Sequence, residues 1–381
     1  MDQRVVIDVS RTVSRLHLPA ATGIDRVEAA YIRRVLENHP GSFALAKLGR
    51  EYLFCDLETF FRESHKNFDG AQIGLIDKVR LKLTRDQRKV KSSLRRSIGW
   101  TDRARLCLKL RSEISKNDIY INVGHSRMSK EVQVCLNTIG CKSWFMVHDV
   151  IPLTHPEMVR VDIPPRFKEF INSISDIADR VIFNSQASQI AAKGLFSNTK
   201  ELVAHLGVDG PFQRGVNSKH PFFLTVGTIE PRKNHNLLLD IWKHGKDEKG
   251  NRLPKLVIVG QDGWAEKAVF EKIEELQKIG RVDHIRDADD ALLLSLYSEC
   301  TALLFPSLAE GYGLPLMEAI EIGKPVIASD IPVFRELLGP NAPLLSPQDI
   351  EAWKSALLYP EKFQHEPRPW TWDQHFELVG L

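Results

Sequence analysis

Two glutamates flank a glycine turn in the stretch FPSLAEGYGLPLMEAIEIGKPVIASD, residues 305–330. Glu310 precedes the turn at 311–313, and Glu318 follows it in an apolar run with helical spacing. Glycine allows positive φ and a close approach of the backbone to a ligand, and Pro315 stands where the first turn of a helix favours proline. Because a helix N-terminus presents unpaired N–H groups and the positive end of the helix dipole, the stretch predicts a phosphate site beside a carboxylate.

A second group of polar residues lies in VGTIEPRKNHNLLL, residues 226–239. Gly227, Thr228, Arg232 and Lys233 follow an apolar strand pattern and precede a helical one. Open α/β sheets bind ligands at this end of their strands. Two adjacent cations opposite the glycine turn would hold a diphosphate through charge-assisted hydrogen bonds. The alternative interpretation is a polar loop that carries two solvated cations.

His148 ends the strand pattern SWFMVHD, residues 143–149, in the other half of the chain. A histidine at a strand end can orient or polarise a substrate hydroxyl. A structural imidazole whose hydrogen bonds are already satisfied is the alternative.

A pair of glutamates is also typical of glycosidases, whose acid and nucleophile lie about 5 to 9.5 Å apart. Eight helical residues would separate Glu310 from Glu318 by about 12 Å. The glycine turn between them instead directs the two carboxylates at different parts of one elongated ligand, such as a sugar nucleotide.

The pattern Asp287-Ala288-Asp289 resembles the Asp-x-Asp motif through which some nucleotide-sugar enzymes bind a divalent metal. We interpret it as a helix cap, because Asp289 or Asp290 would accept hydrogen bonds from free N–H groups at the start of the helical pattern ALLLSLYSEC. The sequence shows no other metal-ligand spacing and predicts no metal cofactor.

Two series of strand patterns separated by helical patterns position these residues. The first holds VVIDVS near the N-terminus, a loop ending in Thr22-Gly23 with a helix at 24–36, and strands at 118–124, 143–149 and 179–185. The second holds PFFLTVG, KLVIVG, VDHI, TALLFP and KPVIAS, with helices at 234–242 and 264–279 among them. Each series predicts a doubly wound parallel sheet. The segment 206–220 between them reads as a linker, and the cleft between two such sheets is the expected ligand site.

The chain has 381 residues, of which 43% are hydrophobic, so it can form two cores of ordinary size. Its net charge of +3 is unevenly spread, because residues 78–111 contain 13 Lys or Arg and two Asp. Apolar residues alternate with these cations, which is typical of an amphipathic segment on an anionic membrane surface. A solvated helix or an insertion is the alternative, and nucleic acid is disfavoured because no binding module accompanies the charge.

The five cysteines are odd in number and scattered, which argues against a disulfide framework and a structural zinc site and favours a reducing compartment. The N-terminus MDQRVVIDVS lacks the apolar region of a signal peptide. No window approaches the roughly 18 apolar residues of a spanning helix. The sequence therefore predicts a cytoplasmic protein.

Six motifs occur in an order that resembles the retaining glycosyltransferases of family 4, also called group 1, and within them the bacterial polysaccharide mannosyltransferases. They are TGIDRVE, HDVIPLTHPE, VIFNSQAS, VGTIEPRKN, the segment 290–297, and FPSLAEGYGLPLMEA with seven residues between its glutamates. The resemblance covers nearly the whole chain. It implies a GT-B fold, in which two Rossmann-like domains face each other across a cleft. We expect an acceptor-side domain at 1–212, a nucleotide-sugar domain at 213–365, and a helix within 366–381 that packs back on the first domain.

The resemblance also implies roles for individual residues. Glu318 would hydrogen-bond the nucleotide ribose, Glu310 and His148 would lie at the donor sugar, and the Gly23 loop would close near the diphosphate and acceptor. The diphosphate would be held by Arg232, Lys233 and backbone amides near Gly311, Gly313 and Leu314. Many members have an arginine directly after the glycine that matches Gly227, whereas this chain has Thr228, so Arg232 is expected to take a larger share.

The function that follows is transfer of a hexose, with mannose from GDP-mannose as the leading case, from a nucleoside-diphosphate sugar to a lipid-linked or polysaccharide acceptor in cell-surface glycan synthesis. The transfer would retain anomeric configuration without a metal or other cofactor, at the inner face of the cytoplasmic membrane. A nucleotide-sugar epimerase or phosphorylase of the same fold is the alternative enzyme. An inactive transferase-like scaffold is the non-enzymatic alternative, disfavoured because Glu310, Glu318, Lys233 and His148 are present together.

Overall fold

The computed structural model describes residues 3–15, 22–48, 51–66, 101–126, 128–196, 199–208, 218–246, 250–366 and 370–381. Within these ranges the chain forms two separate sheets of mainly parallel strands, each covered by helices. This is the α/β architecture that the alternating strand and helix patterns predict.

The first sheet has seven strands in the order β3-β2-β1-β4-β5-β6-β7. Its strands are β1 Val5–Asp8, β2 Phe43–Leu48, β3 Glu51–Asp56, β4 Ile119–Asn122, β5 Lys142–Val147, β6 Arg180–Phe183 and β7 Lys200–Val203. All neighbours pair in parallel except β2 and β3, which are antiparallel. The strand order reverses between β1 and β4, so the carboxyl ends of these two strands border the crevice where such sheets bind ligands.

The second sheet has five parallel strands in the order β10-β9-β8-β11-β12. They are β8 Phe222–Val226, β9 Lys255–Val259, β10 Val282–Ile285, β11 Ala302–Phe305 and β12 Val326–Ala328. Because β8 and β11 are neighbours, the loops that leave their carboxyl ends lie side by side. Those loops carry Arg232 and Lys233 on one side and Glu310 on the other.

Helices cover both sheets of the described chain. In order they are α1 Ser10–Arg15, α2 Gly23–Asn38, α3 Leu57–Lys66, α4 Arg103–Glu113, α5 Lys130–Ile139, α6 Ile151–Thr154, α7 Ile163–Ser175, α8 Gln186–Ala191, α9 His235–His244, α10 Lys267–Lys278, α11 Asp290–Glu299, α12 Leu314–Glu321, α13 Pro332–Leu338, α14 Ile350–Ala356 and α15 Trp372–Val379. Short 3-10 turns occupy Pro156–Met158, Pro231–Lys233 and Pro360–Phe363.

Every strand predicted from the sequence is present, but three strands of the first sheet were not predicted. Strands β2 and β3 form an antiparallel pair, so no helical pattern separates them as it separates the parallel strands. Strand β7 has the sequence KELV, and its half-exposed polar residues hide the apolar pattern of a buried strand.

The prediction about the cysteines is wrong at one pair. Cys107 on α4 and Cys135 on α5 form a disulfide with their Cα atoms 5.7 Å apart. The two helices pack against each other, and a separation of 28 residues carries no motif that sequence reasoning could detect. Cys55, Cys141 and Cys300 are free.

The C-terminal residues pack against α2 of the first sheet's domain. The Phe376 and Tyr31 rings meet edge to face with centroids 5.0 Å apart, and the Tyr31 hydroxyl lies 2.7 Å from Nε2 of His375. Arg34 donates to the carbonyl of Leu381 at 2.8 Å. The chain therefore returns from the second sheet to the first at its end.

Two segments that carried predictions lie largely outside the described residues. Of the basic segment 78–111, the described part is 101–111, most of which forms α4, and of the linker 206–220 the residues 209–217 are not described. On α4 the side chains of Leu106 and Leu110 are buried, whereas Leu108 is 68% exposed. None of the described helices combines the length and apolar character needed to cross a membrane.

Candidate active site

A buried carboxylate between two cations forms the centre of the candidate site. Oε2 of Glu310 lies 2.6 Å from Nη1 of Arg232, and Oε1 lies 2.5 Å from Nζ of Lys233. The cations belong to the 3-10 turn after β8, and Glu310 belongs to the loop after β11. The neighbouring strands therefore bring together three residues that the sequence separates by almost 80 positions.

Neighbouring groups hold this cluster in place. The Ser307 hydroxyl donates to Oε1 of Glu310 at 2.8 Å, and Nε of Arg232 donates to Oε2 of Glu230 at 2.9 Å. The N–H of Leu308 donates to the Arg232 carbonyl at 2.7 Å, which ties the two loops together through the backbone. Nζ of Lys233 also lies 4.7 Å from the centroid of the Phe305 ring, within the range of a cation–π interaction.

These contacts determine the charge of each group. Burial alone would raise the pKa of Glu310, but Arg232 and Lys233 outweigh it and lower that pKa to about 2. Burial lowers the pKa of Lys233, with Glu310 opposing the change. Burial also raises the pKa values of Glu230 and Asp149. Glu310 is therefore an anion at any pH near neutrality.

Gly227 makes room for the lysine. Its φ is +151°, and a Cβ atom at this position would lie 3.1 Å from Cε of Lys233, so the lysine side chain crosses directly over the glycine. Thr228 is partly exposed beside it, with its Cγ2 atom 2.9 Å from the position of a Cβ at Gly263. A larger residue at 227 would push Lys233 away from Glu310.

The glycine turn ends at the N-terminus of α12, as the sequence predicts. Gly313 precedes the helix with φ +113°, and a Cβ there would lie 2.9 Å from Cε1 of Phe334, so both backbone conformation and space favour glycine. Leu314 is the first helical residue and Pro315 has no N–H, so the amide of Leu314 is one of the few that this helix end can offer to an anion.

Gly311 brings the two domains into backbone contact. A Cβ at Gly311 would lie only 2.3 Å from the carbonyl oxygen of His148. The Ser188 hydroxyl lies between them, 3.1 Å from the His148 carbonyl and 3.2 Å from the Gly311 carbonyl, and the Ser185 hydroxyl donates to the latter at 2.8 Å. The end of β5 and the loop after β11 therefore face each other directly.

The His148 side chain is buried, and its Nε2 atom lies 2.7 Å from the Val123 carbonyl. Since a carbonyl only accepts, Nε2 carries the proton and Nδ1 carries the lone pair. Burial lowers the pKa of His148 to about 4, so the ring is neutral near pH 7. Nε2 is therefore engaged in a structural hydrogen bond, as the alternative interpretation of His148 expected. Nδ1 can still accept a hydrogen bond.

Sequence reasoning missed His125, which supports His148. The backbone N–H of His148 donates to Nε2 of His125 at 2.9 Å, and the two rings lie 4.8 Å apart. His125 has φ +52°, an uncommon value for a residue other than glycine. The polar residues directly after the strand pattern DIYINVG were the signal that could have found it.

Glu318 on α12 is buried. The carboxylate is ion-paired through Oε1 with Arg26 of α2 and accepts from the Tyr297 hydroxyl through Oε2 at 2.9 Å. Close by, a Cβ at Gly23 would lie 3.3 Å from Cδ1 of Leu314. The start of α2 therefore lies on the start of α12, and sequence reasoning assigned no role to Arg26 or Tyr297.

The Asp-x-Asp pattern is a helix cap, as predicted. Oδ1 of Asp289 accepts from the N–H of Leu292 at 2.8 Å, and Oδ1 of Asp287 accepts from Gln261 at 2.6 Å. Among the described ranges, no group of three histidine, cysteine or acidic side chains could hold a metal ion.

Two facing sheets with a polar site between their carboxyl ends define a GT-B protein, and solved structures of this fold match the chain. Sucrose-phosphate synthase from Thermosynechococcus elongatus matches all of this chain and 94% of its own, with a TM-score of 0.63 and 15% identity. Anabaena Alr3699/HepE, solved with UDP and glucose, matches all of this chain and 97% of its own, with a TM-score of 0.60 and 16% identity. The GT-B prediction is confirmed.

Residues 210–367 match the family "Glycosyl transferases group 1". Among curated relatives, the serotype-specific mannosyltransferase WbdA of Escherichia coli is 30% identical over 281 residues, which cover 64% of this chain and 34% of the relative. The O-antigen chain mannosyltransferase RfbU of Salmonella typhimurium is 32% identical over 139 residues, or 36% of this chain and 38% of its own. The matched part spans about a third of each relative.

Replacing His148 tests the neutral, buried imidazole. The folded pKa of about 4 lies below the ordinary 6.5, so the unfolded chain binds the proton more strongly. The free energy of unfolding should then fall as the pH drops from about 6.5 to about 4, with His148 contributing roughly 3 kcal/mol of the fall. The free energy of unfolding, measured by urea denaturation at pH 7, 6, 5 and 4, should fall less steeply in His148→Asn than in the parent.

The exposed His220 offers a matched control, because His220→Asn should follow the parent across the same pH range. An equally steep fall in His148→Asn and in the parent would contradict the account of this residue.

Proposed function

We propose that the protein is a glycosyltransferase that moves a hexose from a nucleoside-diphosphate sugar to a glycan acceptor. The observation that carries the proposal is the ion cluster of Glu310, Arg232 and Lys233 at the carboxyl ends of β8 and β11. It lies in the region that matches the group 1 glycosyltransferases, and His148 approaches it from the other domain through Gly311.

Arg232 and Lys233 are the proposed ligands of the donor diphosphate. Their pairing with Glu310 favours the charged form of both side chains and orients them in a buried place before any ligand arrives. A guanidinium has five N–H donors and an ammonium three, so each cation can retain Glu310 and still donate to phosphate oxygens. The N–H groups at Gly313 and Leu314 would add the positive end of α12. Thr228 supplies no charge, so Arg232 takes a larger share.

Glu310 is proposed to lie beside the donor sugar as an anion. A carboxyl group whose pKa is about 2 does not carry a proton near pH 7, so it cannot serve as a general acid there. Its role is to hold the two cations and to stabilise positive charge that develops on the sugar as the glycosidic bond breaks. His148, neutral and with Nε2 held by Val123, would accept a hydrogen bond from a sugar hydroxyl through Nδ1.

The proposed transfer proceeds with retention of configuration and without a metal. The bond between the anomeric carbon and the diphosphate oxygen breaks, and the cations and helix N–H groups stabilise the negative charge of the leaving group. The acceptor hydroxyl then forms the new bond from the same face, and its proton passes to a phosphate oxygen. The positive charge of Arg232 and Lys233 would do what a divalent ion does in other transferases.

Mannose from GDP-mannose is the proposed donor, and a lipid-linked or polysaccharide chain of a cell-surface glycan is the proposed acceptor. The support is that several relatives are named as O-antigen or serotype-specific mannosyltransferases. Since those relatives are about three times as long as the matched region, substrates of the whole relatives extend to this chain only as a proposal. We place the reaction in the cytoplasm, at the inner face of the membrane.

Lys233→Ala should lower kcat/KM for the donor by about 100-fold, because one buried donor to the leaving group is lost. The assay would combine GDP-mannose with an O-antigen oligosaccharide primer in the presence of EDTA, with NMR of the anomeric proton of the product. The parent should transfer under these conditions and give an axial linkage from the axial donor.

Lys255→Ala is the matched control, since Lys255 pairs with Asp283 at the surface, and it should leave the rate unchanged. A rate for Lys233→Ala equal to that of the parent would contradict the site. An inverted product would contradict retention, and complete loss of parent activity in EDTA that Mg²⁺ restores would contradict metal independence.

The membrane part of the proposal rests on α4, whose outer face combines Arg105 and Lys109 with the exposed Leu108. The protein should co-sediment with phosphatidylglycerol vesicles at low salt and less so as salt shortens the screening length from about 30 Å at 0.01 M to about 10 Å at 0.1 M. Replacing Arg105 and Lys109 by Glu should reduce the bound fraction.

Phosphatidylcholine vesicles control for binding without charge. Replacing the exposed Lys267 and Lys278, at the two ends of α10, by Glu controls for the same change of net charge. Absence of binding at low salt, or equal binding to both lipids, would contradict the membrane proposal.

A further inference from the structure

An arginine of the first domain reaches the proposed ribose carboxylate of the second. Arg26 of α2 is ion-paired through Nη1 with Oε1 of Glu318 on α12 and through Nη2, at 3.0 Å, with Oδ1 of Asp290 on α11. From the second domain itself, the Tyr297 hydroxyl donates to the other oxygen of Glu318 at 2.9 Å. Each oxygen of the Glu318 carboxylate thus has a donor of its own.

Packing between the two helices makes this contact specific. Gly23 approaches Leu314 so closely that a Cβ would lie 3.3 Å from its Cδ1 atom. Arg26 lies three residues after Gly23, and Glu318 lies four residues after Leu314. Residues at these spacings share one face of a helix, so the faces that meet at Gly23 and Leu314 also bring Arg26 and Glu318 together. The Arg26 side chain is 24% exposed and that of Glu318 only 8%, so water competes weakly for the ion pair.

The two donors leave the carboxylate with capacity for a ligand. An ionised carboxyl group has about four lone-pair positions, of which Arg26 and Tyr297 use two. Burial and the charge of Glu318 raise the pKa of Tyr297 well above its usual range, so the phenol stays protonated and donates. A carboxylate held in this way keeps at least one lone-pair position on each oxygen for a ligand, which matches the two donors of a pair of adjacent hydroxyl groups.

We propose that Arg26 and Tyr297 are positioning residues that orient Glu318 for the ribose hydroxyls of the donor nucleotide. The inference rests on the proposed function, because it takes Glu318 as the ribose ligand. It adds that recognition of the ribose depends on a residue from each domain. Donor affinity is therefore coupled to the contact between α2 and α12.

The test compares ribose with 2'-deoxyribose nucleotides, because only the former offers the 2'-hydroxyl to Glu318. Binding of GDP and 2'-deoxy-GDP would be measured by calorimetry for the full chain, with the UDP and ADP pairs in parallel. The parent should prefer the ribose form by about tenfold, the effect of one hydrogen bond to a charged group. In Arg26→Ala this preference should shrink to about twofold or less, mainly through weaker binding of the ribose form.

Tyr297→Phe keeps the ring and should also reduce the preference, while Arg26→Lys should restore part of it by keeping the charge. Arg34→Ala removes a positive charge from the same helix, where Arg34 contacts the Leu381 carbonyl, and should keep the preference of the parent. Melting temperatures of all variants show which of them fold. If Arg26→Ala does not fold, the ribose preference of Tyr297→Phe tests the inference instead.

Three results in the variants would overturn the inference, and so would one in the parent. An unchanged preference in both variants, an equal weakening of the ribose and deoxyribose forms, or tighter GDP binding by Arg26→Ala would show that Arg26 does not position Glu318. If the parent binds GDP, UDP or ADP without preferring ribose, the inference fails while nucleotide binding stands. If the parent binds none of them, the proposed function itself fails.

Discussion

The ion cluster of Glu310, Arg232 and Lys233 is the constraint around which the candidate site is built. A buried charge without a partner is costly, and removing one member of a buried pair typically destabilises a protein by about 3 to 5 kcal/mol. Each of the three groups therefore needs the other two in place. Because the cations follow β8 and the carboxylate follows β11, this requirement ties the loops of adjacent strands together and holds two oriented cations where an anionic ligand would arrive.

The candidate site also depends on a close backbone contact between the two domains. Gly311 lies against the His148 carbonyl with no room for a side chain, and the Ser185 and Ser188 hydroxyls hold the carbonyls of this joint. Further along the interface, Glu336 accepts from the amides of Gln186 and Ala187 at the start of α8 and from His205. Hydrogen bonds of this kind fix orientation more than they add affinity, so the two halves of the site face each other before a substrate is bound.

The sequence predicted those features whose pattern lies within a few neighbouring residues. The strands of the second sheet, the cap at Asp289 and the helix start at Leu314 follow from apolar runs, a short polar side chain and a glycine-proline pattern, all within a few residues. Strands β2 and β3 form a hairpin, so no helical pattern lies between them as it does between consecutive parallel strands.

Contacts between distant segments could not be predicted in the same way. The ion pair of Arg26 with Glu318 joins residues 292 positions apart, and the Cys107–Cys135 bond depends on how two helices pack. The burial of His148, which makes its imidazole neutral, depends equally on tertiary packing. Residue types and strand ends indicated which side chains to expect in the candidate site, and the packed interface shows which of them touch.

The central claim, that the cluster receives the diphosphate of a sugar nucleotide, is tested most directly by thermal denaturation of the parent and of Lys233→Ala with GDP-, UDP-, ADP- and dTDP-sugars. A ligand that binds only the folded state stabilises it by about 2.7 kcal/mol at 100 times its dissociation constant. The account predicts that at least one of these donors raises the melting temperature of the parent, and that Lys233→Ala loses most of the increase. No shift with any donor, or an equal shift in both proteins, would contradict it.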